Sequence, residues 1–403
     1  MQQYILKALL IISFLLNPSV YLFAHDKNLK DSIVLVHGFS GWGRDEMQGK
    51  YRYWGGFNDL QEELVRAGYP TVTAAVGPIS STWDRAIELY AQLSGTCVDY
   101  GAAHSIRHGH SRYGRCYPKL VSKFNQNNRV HLIGHSQGAP TIYMLAHLLK
   151  YGSKEEMLAT GAMTNPLFHG GKDWIRSVTS VSGALNGTTL SNSLDPIKEL
   201  IVNITVAVAS ISGGLNQQNI IYDFKLDQWG LKKQINESFK EYRRRILASS
   251  LWMHSKDISA YTLSTYGAAE ENRWLRPSPD VYYMSFSNST THKGLLSNNH
   301  YPIPFTTKAL LLSNALLIGT SPKHDYQWRE NDGVVNTHSM IAPLNQPWRH
   351  DRDQTKKGIW NFIGHTNNQD HLDTVGLLNL NILDFYKLKE FYLTHAKKIY
   401  SLK

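Results

Sequence analysis

Short apolar runs alternate with segments of helical spacing along most of the chain. Ile33–Val36 is a continuous apolar run suited to a buried strand, and Asp59–Ala67 carries helical spacing. Tyr69–Ala75 then reads as a strand and Trp83–Leu93 as a helix. From Thr96 to Pro118 the chain is polar, aromatic and rich in histidine, and neither period is present, so irregular structure is expected. The pattern resumes with Val130–Ile133 as a strand, and past Pro140 with Ile142, Met144, Leu145, Leu148 and Leu149 at helical spacing. Ser177–Ser182 and Tyr282–Ser287 read as further strands. This alternation predicts a mostly parallel sheet with helices on both faces. One segment after Leu194, DPIKELIVNITVAVASISGG, is densely apolar with Lys198, Glu199 and Asn203 on a narrower polar side. A core helix and a movable amphipathic cover both fit that pattern.

Composition adds limits. The 403 residues suffice for one large α/β domain with excursions, and no repeat, linker or low-complexity tract divides residues 25–403. The formal charge is +10, but the basic residues are scattered. The one dense run, Arg243-Arg244-Arg245, lies in a helical stretch and reads as a solvated face. No nucleic-acid motif is present, so a nucleic-acid partner is not expected. Residues 1–24 carry Lys7, an apolar run Ala8–Leu16 and a small Ala24, which is the form of a secretory signal peptide cut near Ala24. An uncleaved anchor is the alternative. No later stretch is apolar for long enough to span a bilayer. An exported, extracellular chain is expected, and in that oxidising setting Cys97 and Cys116 can close a modest loop worth about 3 kcal/mol.

The chemistry centres on RVHLIGHSQGAPTIYM. Gly134-His135-Ser136-Gln137-Gly138 stands between a strand and a helix, with Pro140 in the first helical turn, where a missing N–H costs little. A G-x-S-x-G in that setting raises the serine Oγ above a sheet edge and aims the N–H of Gln137 at a developing oxyanion. Such a nucleophile needs a histidine base and a carboxylate, supplied in this architecture by later loops in the order Ser, Asp, His. Asp332 lies in a turn before a strand-like VVN, and His371 lies in a polar loop ahead of an apolar helix. Order and loop placement favour that pair over His338, His350 and His365. Upstream, Asp84, His104, His108 and His110 crowd one region, with Asp257 far along the chain. Imidazole and carboxylate together suit zinc, although surface histidines also cluster by chance.

HGFSGWGRDEM, YWGG, AVGPISSTWDRA, VDYGAAH, HGH, GHSQG, YDFKLDQWGL and ENDGVVNT together resemble the large secreted bacterial triacylglycerol lipases of the thermophilic bacillus and staphylococcal type. The resemblance runs from about residue 31 to near 395. It implies an α/β-hydrolase fold with a zinc-binding excursion over about residues 84–118 and a helical lid over about 195–213. It assigns Ser136, Asp332 and His371 as nucleophile, acid and base, and the N–H groups of Phe39 and Gln137 as the oxyanion hole. It also implies a structural zinc ion on Asp84, His104, His110 and Asp257, with His108 a bystander. The family's calcium carboxylates correspond here to Asp373, Leu378 and Asn379, so a calcium site is expected to be weak or absent. A family turn of the TPHDG kind reads Gly183-Ala184-Leu185-Asn186-Gly187, which leaves substrate preference open. Hydrolysis of lipid esters at a lipid–water interface, with peripheral contact to membranes or droplets, is the expected activity. A phospholipase or short-chain carboxylesterase is the alternative, and a non-catalytic lipid-binding protein the reading from another class.

Overall fold

Along the strand Ser32–Val36 (β1), Ile33 and Leu35 turn to one face and Val34 and Val36 to the other, and all four are fully buried. Both faces are therefore covered, and the strand reads as an unbroken apolar run because it has no wet side. A computed structural model describes residues 31–211, 222–352, 354–379 and 381–403. The expected signal peptide, residues 1–24, lies outside them, as do residues 212 and 213 at the end of the expected lid.

Beyond β1 the strands are Thr71–Ala74 (β2), Cys97–Asp99 (β3), Tyr113–Cys116 (β4), Val130–His135 (β5), Ile175–Val181 (β6) and Tyr282–Ser289 (β7). Thr291–Lys293 (β8), His300–Pro302 (β9), Trp348–His350 (β10) and Trp360–Asn367 (β11) follow. The central sheet has seven strands in the order β10-β11-β7-β6-β5-β1-β2, and every neighbouring pair is parallel. The main helices are Leu60–Arg66 (α1), Thr82–Ser94 (α2), Ala102–His108 (α3), Gly138–Tyr151 (α4), Leu194–Ile211 (α5), Leu312–Thr320 (α6) and Ile382–Tyr400 (α7). One core joins β1 and β7 to α1, α5 and α7; the other, across the sheet, is built from α2 and α4. None of the described helices is long and apolar enough to cross a membrane.

Two readings of the sequence need correction. Residues 96–118 are not irregular: β3 and β4 pair as an antiparallel ribbon around α3. The sulfurs of Cys97 and Cys116 are bonded across that ribbon, at positions that face each other in register. A cross-link and a register hold these strands, so they carry no apolar run. The VVN after Asp332 is a tight turn bridged from Asn331 to Asn336 and adds no strand to the sheet. Its two valines are instead buried against the site. In addition, β10 and β11 extend the sheet over a stretch to which the apolar pattern assigned no element, and β11 ends in the polar run Gly364–Asn367.

Candidate active site

The order of strands reverses beside β1. From β1 the chain goes to β2 on one side and returns through β5 on the other, so the loops leaving β1 and β5 part and open a crevice at their carboxyl ends. Phe39 follows β1 and Ser136 follows β5. Ser136 has φ 56°, a left-handed conformation that strains any residue with a Cβ. The turn closes only because its glycines are bare: a Cβ on Gly138 would lie 2.2 Å from the carbonyl oxygen of Val36. Ser136 N–H donates to Val181 O at 3.1 Å, which fixes the turn against β6.

Asp332 is fully buried and held as an acceptor. Its Oδ1 receives the N–H groups of Val334 at 3.0 Å and Val335 at 2.8 Å. Its Oδ2 receives His371 Nδ1–H at 2.6 Å and Asn288 Nδ2–H at 3.3 Å. This leaves the Nε2 of His371 as its free nitrogen. Ser136 and His371 line one cavity of about 20 Å³ together with Phe39, Tyr53 and Val334. Its remaining wall includes Leu200 and Ile204 of α5, so that helix lies over the serine. Apolar residues at 197, 200, 201, 204 and 208 of α5 face the core, the helical stripe expected of a cover.

Neither the N–H of Phe39 nor that of Gln137 has an acceptor among the described residues. Both residues are buried, and α4 begins immediately after Gln137, so the positive end of its dipole points into the crevice. The two donors are braced from behind. Arg85, fully buried on α2, donates to the carbonyls of His37 and Gly77 and to Thr141 Oγ1. The Gln137 side chain donates to Ser80 O at 3.0 Å and accepts from Ser259 Oγ at 2.9 Å.

A second set of residues was not read from the sequence. Gly38 N–H donates to Tyr53 Oη at 2.9 Å, Tyr53 Oη–H to His135 Nδ1 at 2.6 Å, and His135 Nε2–H to the carbonyl of His371 at 3.1 Å. The carbonyl can only accept, and that fixes the direction of every proton in the chain. Burial, then the neighbouring His371, holds His135 well below the ordinary histidine range. Beside His371, Lys308 Nζ lies between Asp370 Oδ1, at 3.2 Å, and Asp373. Burial pushes Asp370 up to about 6 against the pull of that ammonium. A lysine cation thus already sits among the carboxylates around the place the calcium comparison singled out. The Gly183–Gly187 turn is pinned by Asn186, which donates to Ala342 O at 2.8 Å and accepts from Leu344 N–H at 2.6 Å.

Asp84, His104, His110 and Asp257 converge, their ligand atoms all within 4.8 Å of one another. His104 Nε2 is 3.3 Å from Asp84 and 3.2 Å from Asp257, and His110 Nε2 is 3.0 Å from Asp257. Yet Asp84 Oδ1, Asp257 Oδ2 and both Nε2 atoms are buried without a hydrogen-bond partner. Burial and the charge of Asp257 push Asp84 up. The other Asp84 oxygen accepts from Gln228 at 2.8 Å, and His110 Nδ1–H donates to Ser111 O at 2.9 Å, so both side chains are held in orientation from outside the cluster. His108 lies tilted against His104, ring centroids 4.5 Å apart, but is not part of the converging set.

The chain matches the family described as "Lipase-like, C-terminal domain" over residues 29–400. It is 36% identical over 358 residues to Lipase 1 of Staphylococcus aureus, an alignment covering 86% of this chain and 51% of that protein. The chain thus spans about half the length of the curated relatives it matches. Among solved structures, EstA from Clostridium botulinum is 42% identical with a TM-score of 0.86, covering 92% of this chain and 87% of that one. Lipase 1 from Pelosinus fermentans is 38% identical at TM-score 0.83, covering 93% of this chain and 99% of that one. Staphylococcus hyicus lipase is 34% identical at TM-score 0.77, covering 93% and 95%. A match of this extent, joined to a serine on a strained turn at the reversal of the sheet, makes the chain a member of the bacterial lipase family that includes the staphylococcal enzymes.

Proposed function

We propose that the chain is a secreted lipase that hydrolyses carboxylic esters of lipids, triacylglycerols above all, through an acyl-enzyme on Ser136. The observation that carries this reading is the Asp332–His371 pair at 2.6 Å, with His371 and Ser136 on one cavity between two unengaged N–H groups. Ser136 Oγ attacks the ester carbonyl while His371 Nε2 takes its proton, and Asp332 stabilises the imidazolium. The carbonyl oxygen becomes an oxyanion that accepts from Phe39 and Gln137. His371 then returns the proton to the leaving alcohol. Water repeats the sequence, with its proton passing to His371, and releases the fatty acid and free Ser136. Because α5 closes over the serine, substrate enters when that helix swings away, and a lipid surface stabilises its exposed apolar stripe.

Two carboxylates and two imidazoles are a closed tetrahedral zinc set, and their orphaned buried atoms support a metal there. Zinc would supply the charge that lets the four groups be buried together, and it takes no part in ester cleavage. Lys308 supplies positive charge beside Asp370 and Asp373, which supports a weak or absent calcium site there. In this reading residues 25–403 act as one exported domain, and the signal-like run Ala8–Leu16 supports export.

The test compares wild type with Ser136→Ala on a chain-length series of p-nitrophenyl esters and on emulsified triglycerides. Hydrolysis of long-chain emulsions is expected, falling at least about a thousandfold in the mutant. Activity confined to short soluble esters would replace the lipase by an esterase, and activity on phospholipid alone by a phospholipase. Lipid binding without any hydrolysis would leave a binding protein.

A further inference from the structure

The helix α6 has the composition of a buried element and the position of a surface one. Its sequence, LSNALLIGT, has no charge. Asn314, Ala315, Ile318 and Gly319 face inward, while Leu312, Ser313, Leu316 and Leu317 face solvent. A solvent face normally carries charged residues, and an uncharged one is covered in use. The helix packs on β9 so closely that a Cβ on Gly319 would lie 2.0 Å from His300 O. The β8–β9 ribbon beneath it turns through Leu295 and Leu296, which are 101% and 102% exposed, and Phe305 just past it is 105% exposed. Few folded proteins leave three large apolar side chains standing free beside an apolar helix face.

We propose that Leu295, Leu296, Phe305, Leu312, Leu316 and Leu317 form a docking surface for an anionic lipid–water interface, separate from the covering helix α5. Two further observations favour that occupant. Residues 290–330 carry Lys293, Lys323 and Arg329 against Asp325 and Glu330, with Lys308 engaged by Asp370 and Asp373, in a chain of net charge +10. Leucines at a projecting ribbon tip also enter a soft medium readily, whereas a protein partner would need a matching groove. The surface is joined rigidly to the site. Asn331, the residue before Asp332, donates to Ala315 O of α6 at 3.1 Å, and its carbonyl accepts from Thr290 N–H at the foot of the ribbon at 3.0 Å. Docking here sets the carboxyl edge of the sheet, where Ser136 lies, beside the lipid. The inference rests on the lipase reading for its purpose, but its test does not need hydrolysis.

The experiment is flotation of the full chain carrying Ser136→Ala with vesicles of neutral phosphatidylcholine, with and without anionic phosphatidylglycerol. The protein is expected to float with the anionic vesicles and to be released by salt. Leu295→Ser/Leu296→Ser should weaken that binding by about tenfold or more. In the active chain the same pair should leave hydrolysis of soluble p-nitrophenyl acetate unchanged and lower the rate on emulsions. Leu316→Ser/Leu317→Ser on α6 repeats the test where the ribbon pair fails to fold. Undiminished binding by both pairs overturns the proposal, as does equal binding to neutral vesicles or a wild-type dimer that protects these leucines. Vesicle binding by a chain that hydrolyses no ester would overturn the lipase reading and leave this one standing.

Discussion

Ser136 shows how one backbone angle depends on residues that do no chemistry. Its φ of 56° is held by bonds to Val181 and by bare glycines beside it. The proposed oxyanion donors stand beside a less visible chain, in which Tyr53 links the N–H of Gly38 to His135, and His135 reaches the backbone of His371. Tyr53→Phe keeps the ring but removes the oxygen, leaving one buried donor and one buried acceptor without partners. The expected loss is about 1–3 kcal/mol of stability, read by denaturant unfolding. Because Phe39 follows Gly38, kcat on a soluble ester should also fall about tenfold with KM little changed. Unchanged kinetics would confine Tyr53 to a structural role.

Among the elements, the β3–β4 ribbon is held by a cross-link. Residues 97–99 and 113–116 pair because Cys97 and Cys116 are bonded, and the loop between them carries His104 and His110 to Asp84 and Asp257. Asp257 in turn precedes Ile258, which bridges Ser80, and Ser259, which holds Gln137. The candidate metal cluster, the ribbon and one proposed oxyanion donor are thus mechanically continuous. Cys97→Ser/Cys116→Ser should lower stability by about 3 kcal/mol. In the chain loaded with zinc it should also speed release of the metal to a chromogenic chelator, since the loop carrying His104 and His110 loses its closure. Zinc release at the wild-type rate would show that the ribbon does not organise the site.

At the scale of the molecule, two cores on opposite faces of one sheet also enclose polar groups. His131, on β5, bonds Ser177 Oγ at 2.8 Å, and His395, on α7, bonds Thr179 Oγ1 at 2.8 Å. Burial pushes each down to about 3. A histidine whose folded value lies below its unfolded one stabilises the fold above about pH 6.5 and loses that contribution as the pH falls toward the folded value. Below pH 6.5 each should subtract about 1.4 kcal/mol per pH unit. Glu88, pushed up to about 7 by burial and by Asp84, works the other way, so the difference between variants is the useful measurement. The stability advantage of wild type over His395→Gln should therefore shrink steadily between pH 6.5 and 4.5. A difference independent of pH would show that His395 is protonated in the fold.

Much of this protein was legible before any coordinates. The α/β alternation and the turn at Ser136 are local patterns, since periodicity and turn chemistry depend on near neighbours, and the roles proposed for Ser136, Asp332 and His371 start from them. The family followed from long motifs such as YDFKLDQWGL. What tertiary structure alone decided are contacts between residues far apart in the chain. Tyr53 and His135 meet across 82 positions, and Lys308 reaches Asp370 across 62. Nothing in their local sequence distinguishes these residues from a core tyrosine or a surface lysine. The same holds for α6: its apolar composition suggests burial, and only its place on the fold shows that half of it faces outward. Chain-local physics sets which element forms, whereas burial, pairing and exposure depend on what the fold brings beside it.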